Sequence, residues 1–250
     1  MIALPPRLIP MLLLDNQSVV KGSNFKNHTY VGDPLNIIKL FNDMGANEIF
    51  LCGIGNTNKN TKPDYEFLDN ISSQAFMPIS YGGGVNSLED AEKIISIGFE
   101  KVALNTAALN NFSLLKIISN SLGACSTIAS LDVKKNIFSR QTVFSCSGTK
   151  NTKMKPLEAA LRLQDAGAGE LLLCSIDREG TNKGMDYDLI QIISSALEIP
   201  VVASGGAFSL ECFGKAINAG ADAVGAGNYF IFNGDHRAVL VSYPDFKDLI

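Results

Sequence analysis

The sequence predicts one eight-stranded β/α barrel of the TIM type, and three observations lead there. The chain repeats itself at half its length, it alternates strand-like with helix-like segments, and its 250 residues, 46% hydrophobic, suit one large core. Residues 1–250 are therefore expected to form one barrel domain, with half-barrel repeats at about 1–122 and 123–250.

The repeat is read at a constant offset of 122 residues. Gly83 and Gly84 fall on Gly205 and Gly206, Ser87-Leu88-Glu89 on Ser209-Leu210-Glu211, Lys93 on Lys215 and Gly98 on Gly220. Asp43, Gly45, Ala46, Glu48, Leu51, Cys52 and Ile54 keep the same offset to Asp165, Gly167, Ala168, Glu170, Leu173, Cys174 and Ile176.

Strands are expected where short apolar runs are bounded by Gly, Pro or Asn, at residues 7–14, 48–54, 78–82, 101–105, 126–132, 169–175, 200–204 and 222–226. Between them lie segments of helical spacing such as Leu88, Ala91, Ile94 and Ile95, the pattern of βα units around a parallel sheet. Four units per half make an eightfold barrel. The competing arrangement, an open doubly wound sheet, would still need two related halves to close on each other.

Barrel ligands bind where strands end, and three Gly-rich sequences lie at such ends: Tyr81-Gly82-Gly83-Gly84, Ser204-Gly205-Gly206 and Ala226-Gly227-Asn228. Without Cβ atoms, these turns let backbone N–H groups face a concavity, and a following helix adds its partly positive N-terminus. An isolated Gly-Gly pair needs no more than a tight turn to explain it. Here the pairs recur at corresponding positions, followed by Asn105-Thr106 in one half and Gly227-Asn228 in the other. A ligand with a phosphate at each end is expected.

The formal charge of -4 excludes a general attraction to nucleic acid or an anionic membrane. Five cysteines without a C-x-x-C pair suggest neither a disulfide framework nor a zinc site, so no metal or cofactor is expected and a cytoplasmic location is. The run Leu12-Leu13-Leu14 is too short for a bilayer span and lacks the features of an export signal.

In order and spacing, several segments resemble the cyclase subunit of imidazole glycerol phosphate synthase. They include Arg7-Leu-Ile-Pro10, Val19-Val-Lys-Gly22, Gly32-Asp-Pro34, Tyr81-Gly-Gly-Gly84, Lys101-Val-Ala-Leu-Asn-Thr-Ala107, Ser130-Leu-Asp132, Ser175-Ile-Asp-Arg178, Gly180-Thr181 and Ala203-Ser-Gly-Gly-Ala207. The resemblance runs from Arg7 to about Phe232. It implies a lyase-type histidine-pathway activity, a bis-phosphate ribotide substrate, and a glutaminase partner whose ammonia crosses the barrel. On the matching positions it implies binding roles for Lys21, Gly82, Gly83, Gly84, Asn105, Thr106, Asp177, Gly180, Ser204, Gly205, Gly206, Gly227 and Asn228. It also implies an ammonia gate of Arg7, Glu48, Lys101 and Glu170. These four stand at strand starts, where alternating charges can neutralise one another in a ring.

The family pairs two catalytic aspartates, and only the strand-5 one is matched here, by Asp132. Leu13 stands in the place of the other; Asp15, two residues on, would serve only if the loop folds back. Gly53 and Glu179 replace aspartates and Cys174 a threonine. This pattern resembles divergent second copies of the subunit linked to bacterial surface polysaccharides, where the ammonia is passed to a separate sugar amidotransferase. Ring closure by Asp132 and ammonia supply to another enzyme both follow as readings; a phosphate-binding isomerase of the same pathway would have no use for the four gate residues.

Lys21 is placed in the long loop after the first strand, where it either meets phosphate or is merely solvated. His28 and His236 are read as surface or loop residues, and Cys174, beside Leu171, Leu172 and Leu173, as a packed thiol.

Overall fold

Apolar runs such as Leu171-Leu172-Leu173 need cover on both faces, which a parallel sheet closed on itself and wrapped by helices provides. A computed structural model describes residues 6–56, 61–136, 140–233 and 238–244. Its barrel strands are β1 (Arg7–Asp15), β4 (Ile49–Gly53), β5 (Ile79–Gly82), β6 (Lys101–Leu104), β7 (Thr127–Lys135), β10 (Glu170–Ser175), β11 (Val201–Ser204) and β12 (Ala223–Ala226). All pair in parallel, and β12 joins β1 through Arg7↔Ala223 to Pro10↔Ala226, so the sheet is a closed (β/α)8 barrel.

The wrapping helices are α1 (Pro34–Asp43), α2 (Tyr65–Ser72), α3 (Leu88–Ser96), α4 (Thr106–Asn110), α5 (Phe112–Leu122), α6 (Pro156–Asp165), α7 (Tyr187–Ser194) and α8 (Leu210–Asn218). Their starts are legible in the chain. Asp33, Asp64, Ser87, Asn111, Asp186 and Ser209 each accept a backbone N–H from the first turn of α1, α2, α3, α5, α7 and α8, respectively. Their apolar faces, with Ile38, Phe41, Ile94, Ile118, Leu163, Ile193 and Phe213 fully buried, pack on the outside of the barrel. The eighth unit departs from the others: after β12 comes the single-turn α9 (Asn228–Ile231), and the described residues 238–244 run on as a strap. None of the described helices is long and apolar enough to cross a membrane.

Two hairpins extend the barrel sheet itself, apart from the short antiparallel pair of Phe232–Asn233 with Ala238–Val239. The strand-1 unit adds β2 (Ser18–Ser23) and β3 (Lys26–Gly32), and the strand-5 unit adds β8 (Gln141–Ser145) and β9 (Lys150–Asn151), all antiparallel. Their turns are related by the half-chain offset, and Asn24-Phe25 and Cys146-Ser147 all have positive φ, matching strand twist in a tight hairpin. Each tip reaches into the opposite half. Asn24 Nδ2 donates to Ile176 O at 3.0 Å, and Ser147 Oγ donates to Ile54 O at 3.3 Å.

Candidate functional site

At the N-terminal mouth the four expected charges form a closed ring. Arg7 Nη1 donates to Glu48 Oε2 at 2.8 Å and Nη2 to Glu170 Oε1; Lys101 Nζ donates to Glu170 Oε2 at 2.9 Å and lies 3.8 Å from Glu48 Oε1. Ser80 Oγ donates to Glu48 Oε1 at 3.3 Å. Burial opposes the charge on Arg7, yet hydrogen bonds and attraction to Glu170 and Glu48 outweigh it and raise its pKa. Two positive and two negative groups leave the ring without net charge, which is what makes burying both carboxylates tolerable.

Alternation along each strand puts the next inward residues directly above. Ile9, Phe50, Ala103, Ile128, Leu172, Val202 and Ala223 form a separate buried apolar layer. Above it opens a cavity of about 370 Å³, whose floor includes Phe50, Ala103 and Leu172 of that layer. Ring, apolar layer and cavity are thus stacked along the barrel axis.

Of the expected binding residues, Lys21, Gly82, Gly83, Gly84, Asn105, Thr106, Ser204 and Gly227 line this cavity, together with the expected catalytic residue Asp132. Gly180, Gly206, Gly227 and Asn228 line a small depression beside it, the counterpart of the first loop in the second half. The equivalence extends to the backbone: Gly83 and Gly205, both at positive φ, press against Gly53 O and Ser175 O where a Cβ would not go. Gly205 lines neither cavity. Asp177 is also placed elsewhere, because its Oδ2 accepts from Lys135 N at 2.7 Å and ties the loop after β10 to the end of β7.

One expectation about the first loop needs correction. Lys21 is neither in a loop nor solvated: it sits on β2, 2% exposed, with Nζ donating to Met11 O. Burial lowers its pKa to about 8 against the opposing pull of Glu179 and Cys52. His28 is exposed, as read for a surface residue, although it stands on β3 and lines the cavity; His236 lies outside the described residues. No loop folds Asp15 back. It ends β1, two residues beyond Leu13, and lines the cavity as well.

Asp132 faces the cavity from β7, accepts from Asn105 Nδ2 at 3.2 Å, and is pushed up to about 7 by burial. A carboxyl with that pKa can both give and take a proton near neutrality. Leu13 faces it from β1, four strands round the barrel in either direction. Cys52 and Cys174 also line the cavity; burial raises Cys52 to about 12 and Cys174 well above its usual value, so both are thiols rather than nucleophiles. Gly53 leaves room that Tyr81 occupies, its hydroxyl 2.5 Å from where a Cβ would stand.

Residues not foreseen as part of the cavity include Phe25, Asn86, Ser130, Ser147 and Thr149. Ser130 had a usable signal, two residues before Asp132 on the same strand face. Among the described residues, no group of three His, Cys, Asp or Glu is arranged to hold a metal.

A model of the family described as "Histidine biosynthesis protein" matches residues 7–236. The chain belongs to this family. Among curated relatives of this histidine biosynthesis family, a Pseudomonas aeruginosa protein provisionally named imidazole glycerol phosphate synthase subunit hisF2 is 45% identical over 247 residues, 97% of each chain. A Leptospira interrogans protein, provisionally named subunit HisF of the same synthase, is 37% identical over 247 residues, 98% of this chain and 97% of its own. The imidazole glycerol phosphate synthase subunit HisF of Streptomyces coelicolor is 37% identical over 231 residues, 92% of each chain. The chain is therefore a divergent HisF-like member of the family.

Proposed function

We propose that this chain is the barrel subunit of an imidazole glycerol phosphate synthase-type complex, taking ammonia from a glutaminase docked at the charged ring. The stacking of a neutral ring, an apolar layer and a glycine-rimmed cavity on one axis carries this reading. Uncharged ammonia can cross an apolar layer that excludes ammonium, since burying an isolated charge is far costlier than burying a small neutral polar molecule.

The two-fold related loops, with Gly83-Gly84 at the cavity and Gly206 at the depression beside it, would hold the two phosphates of phosphoribulosyl formimino aminoimidazole carboxamide ribotide. Asn105, Thr106, Gly180, Gly227 and Asn228 complete those ends, and Lys21 supplies the cation inside. Ammonia would then yield imidazole glycerol phosphate, aminoimidazole carboxamide ribotide and one water, the ketone oxygen leaving as that water on ring closure, with Asp132 as the group that holds and releases the proton.

One observation favours a second reading. Leu13 faces the cavity opposite Asp132 and cannot move a proton, a loss of roughly 10²–10⁴ in rate for a general acid or base. In that reading the subunit docks the glutaminase and conducts ammonia to a separate enzyme amidinating an acetamido sugar of a bacterial surface polysaccharide. Turnover of the ribotide by the purified chain with saturating ammonium salt at alkaline pH tests the two. Product formation supports the synthase; its absence, with the ribotide still bound, leaves ammonia supply.

A further inference from the structure

We infer that Tyr243 is a positioning residue for the charged ring, acting from the strap formed by the described residues 238–244. The strap is held by Leu240 N to Ile231 O and Ser242 N to Phe230 O, each at 2.9 Å. It delivers the Tyr243 ring onto Phe230, stacked at 5.6 Å and 19°, with its edge against Phe41 at 6.5 Å. The hydroxyl then lies beneath the barrel. It is shared between Leu8 O and Asn47 Oδ1, both at 2.9 Å, and accepts from Asn47 N at 3.4 Å.

Those two partners are the chain neighbours of Arg7 and Glu48. One phenol therefore clamps the starts of β1 and β4 at the point where Arg7 and Glu48 must meet. The ring itself offers little slack, because Arg7 has to aim one guanidinium nitrogen at Glu48 and the other at Glu170. Burial raises the Tyr243 pKa, so the hydroxyl keeps its proton and donates throughout the neutral range. Aromatic packing anchors the strap, and the hydroxyl sets the ring.

This assignment rests on reading the ring as an ammonia entrance, but its test does not. Side-chain nitrogen NMR of the full chain would follow exchange of the Arg7 Nη protons, which two fixed carboxylates hold distinct and slow. In Tyr243→Phe, which keeps the stacking, Arg7 exchange should rise about fivefold, the factor expected for one lost hydrogen bond. Arg162, packed over Phe112 at 4.1 Å and remote from the strap, should not change. Asn47→Ala, at an exposed position, should reproduce the effect from the other side. Unchanged Arg7 exchange in both variants, with only the melting temperature lowered, would overturn the assignment. A ring loosened in both variants upholds it even if the chain never transfers ammonia.

Discussion

The Lys21 ammonium occupies the space immediately beside Gly227, where any side chain would have its Cβ. Gly227 has φ -102, a value open to every residue, so the lysine rather than the backbone demands glycine. Gly227→Ala should cost about 1–3 kcal/mol by overpacking, and Lys21→Ala in the same chain should return most of it. Urea unfolding of the two single variants and the double variant measures this; additive losses would contradict the contact.

The ring predicts an unequal response to removing charge. Arg7→Ala leaves Glu48 and Glu170, 7% and 6% exposed, to share Lys101 alone. Breaking a buried pair costs about 3–5 kcal/mol, and because Arg7 is about one-third exposed, about 2–3 kcal/mol is expected. Removing Lys215, which pairs with Glu211 on the open surface, should leave the same measurement essentially unchanged.

Asp132 makes stability depend on pH in an unusual direction. Its pKa is raised from 3.8 to about 7, so the folded state binds the proton more tightly than the unfolded chain does. The resulting stability is fully present below about pH 4 and is lost as pH rises through 7. The shift corresponds to roughly 4 kcal/mol. Asp132→Asn should therefore flatten the stability profile between pH 4 and 7, read from denaturation midpoints at fixed salt.

On the proposed synthase-type reading, a carboxylate placed opposite Asp132 should speed the reaction. Leu13→Asp is expected to raise ammonium-driven turnover of the ribotide by roughly 10²–10⁴. A second restoration should fail at first: Gly53→Asp drives its Cβ against the Tyr81 hydroxyl and should cost about 1–3 kcal/mol, which Tyr81→Phe then relieves. Thermal melts of the single and double variants settle the second point, and product assay the first.

The eight barrel strands were legible to within a few residues because apolar runs such as Val201-Val-Ala-Ser204 are cut off sharply by Pro and Gly. The β2–β3 and β8–β9 hairpins were not. Lys26-Asn27-His28-Thr29-Tyr30 is exposed throughout, so no hydrophobic alternation marks it as strand. That is also why Lys21 was misplaced, since only the hairpin folds its amine inward. Pairing of the four charges could be argued from their positions, but the tie that Asp177, expected among the binding residues, makes to β7 could not, because its partner is a backbone N–H that any sequence supplies.

The crossed hairpin tips have a consequence for how the chain can be divided. The Asn24 tip is seated on Ile176 and the Ser147 tip on Ile54, so neither half contains the seat for its own tip. Cut near residue 122 and expressed as two fragments, the halves would each carry an undocked hairpin. Only mixing them would supply both missing seats at once, making reassembly of the cavity mouth a property of the pair and of neither piece.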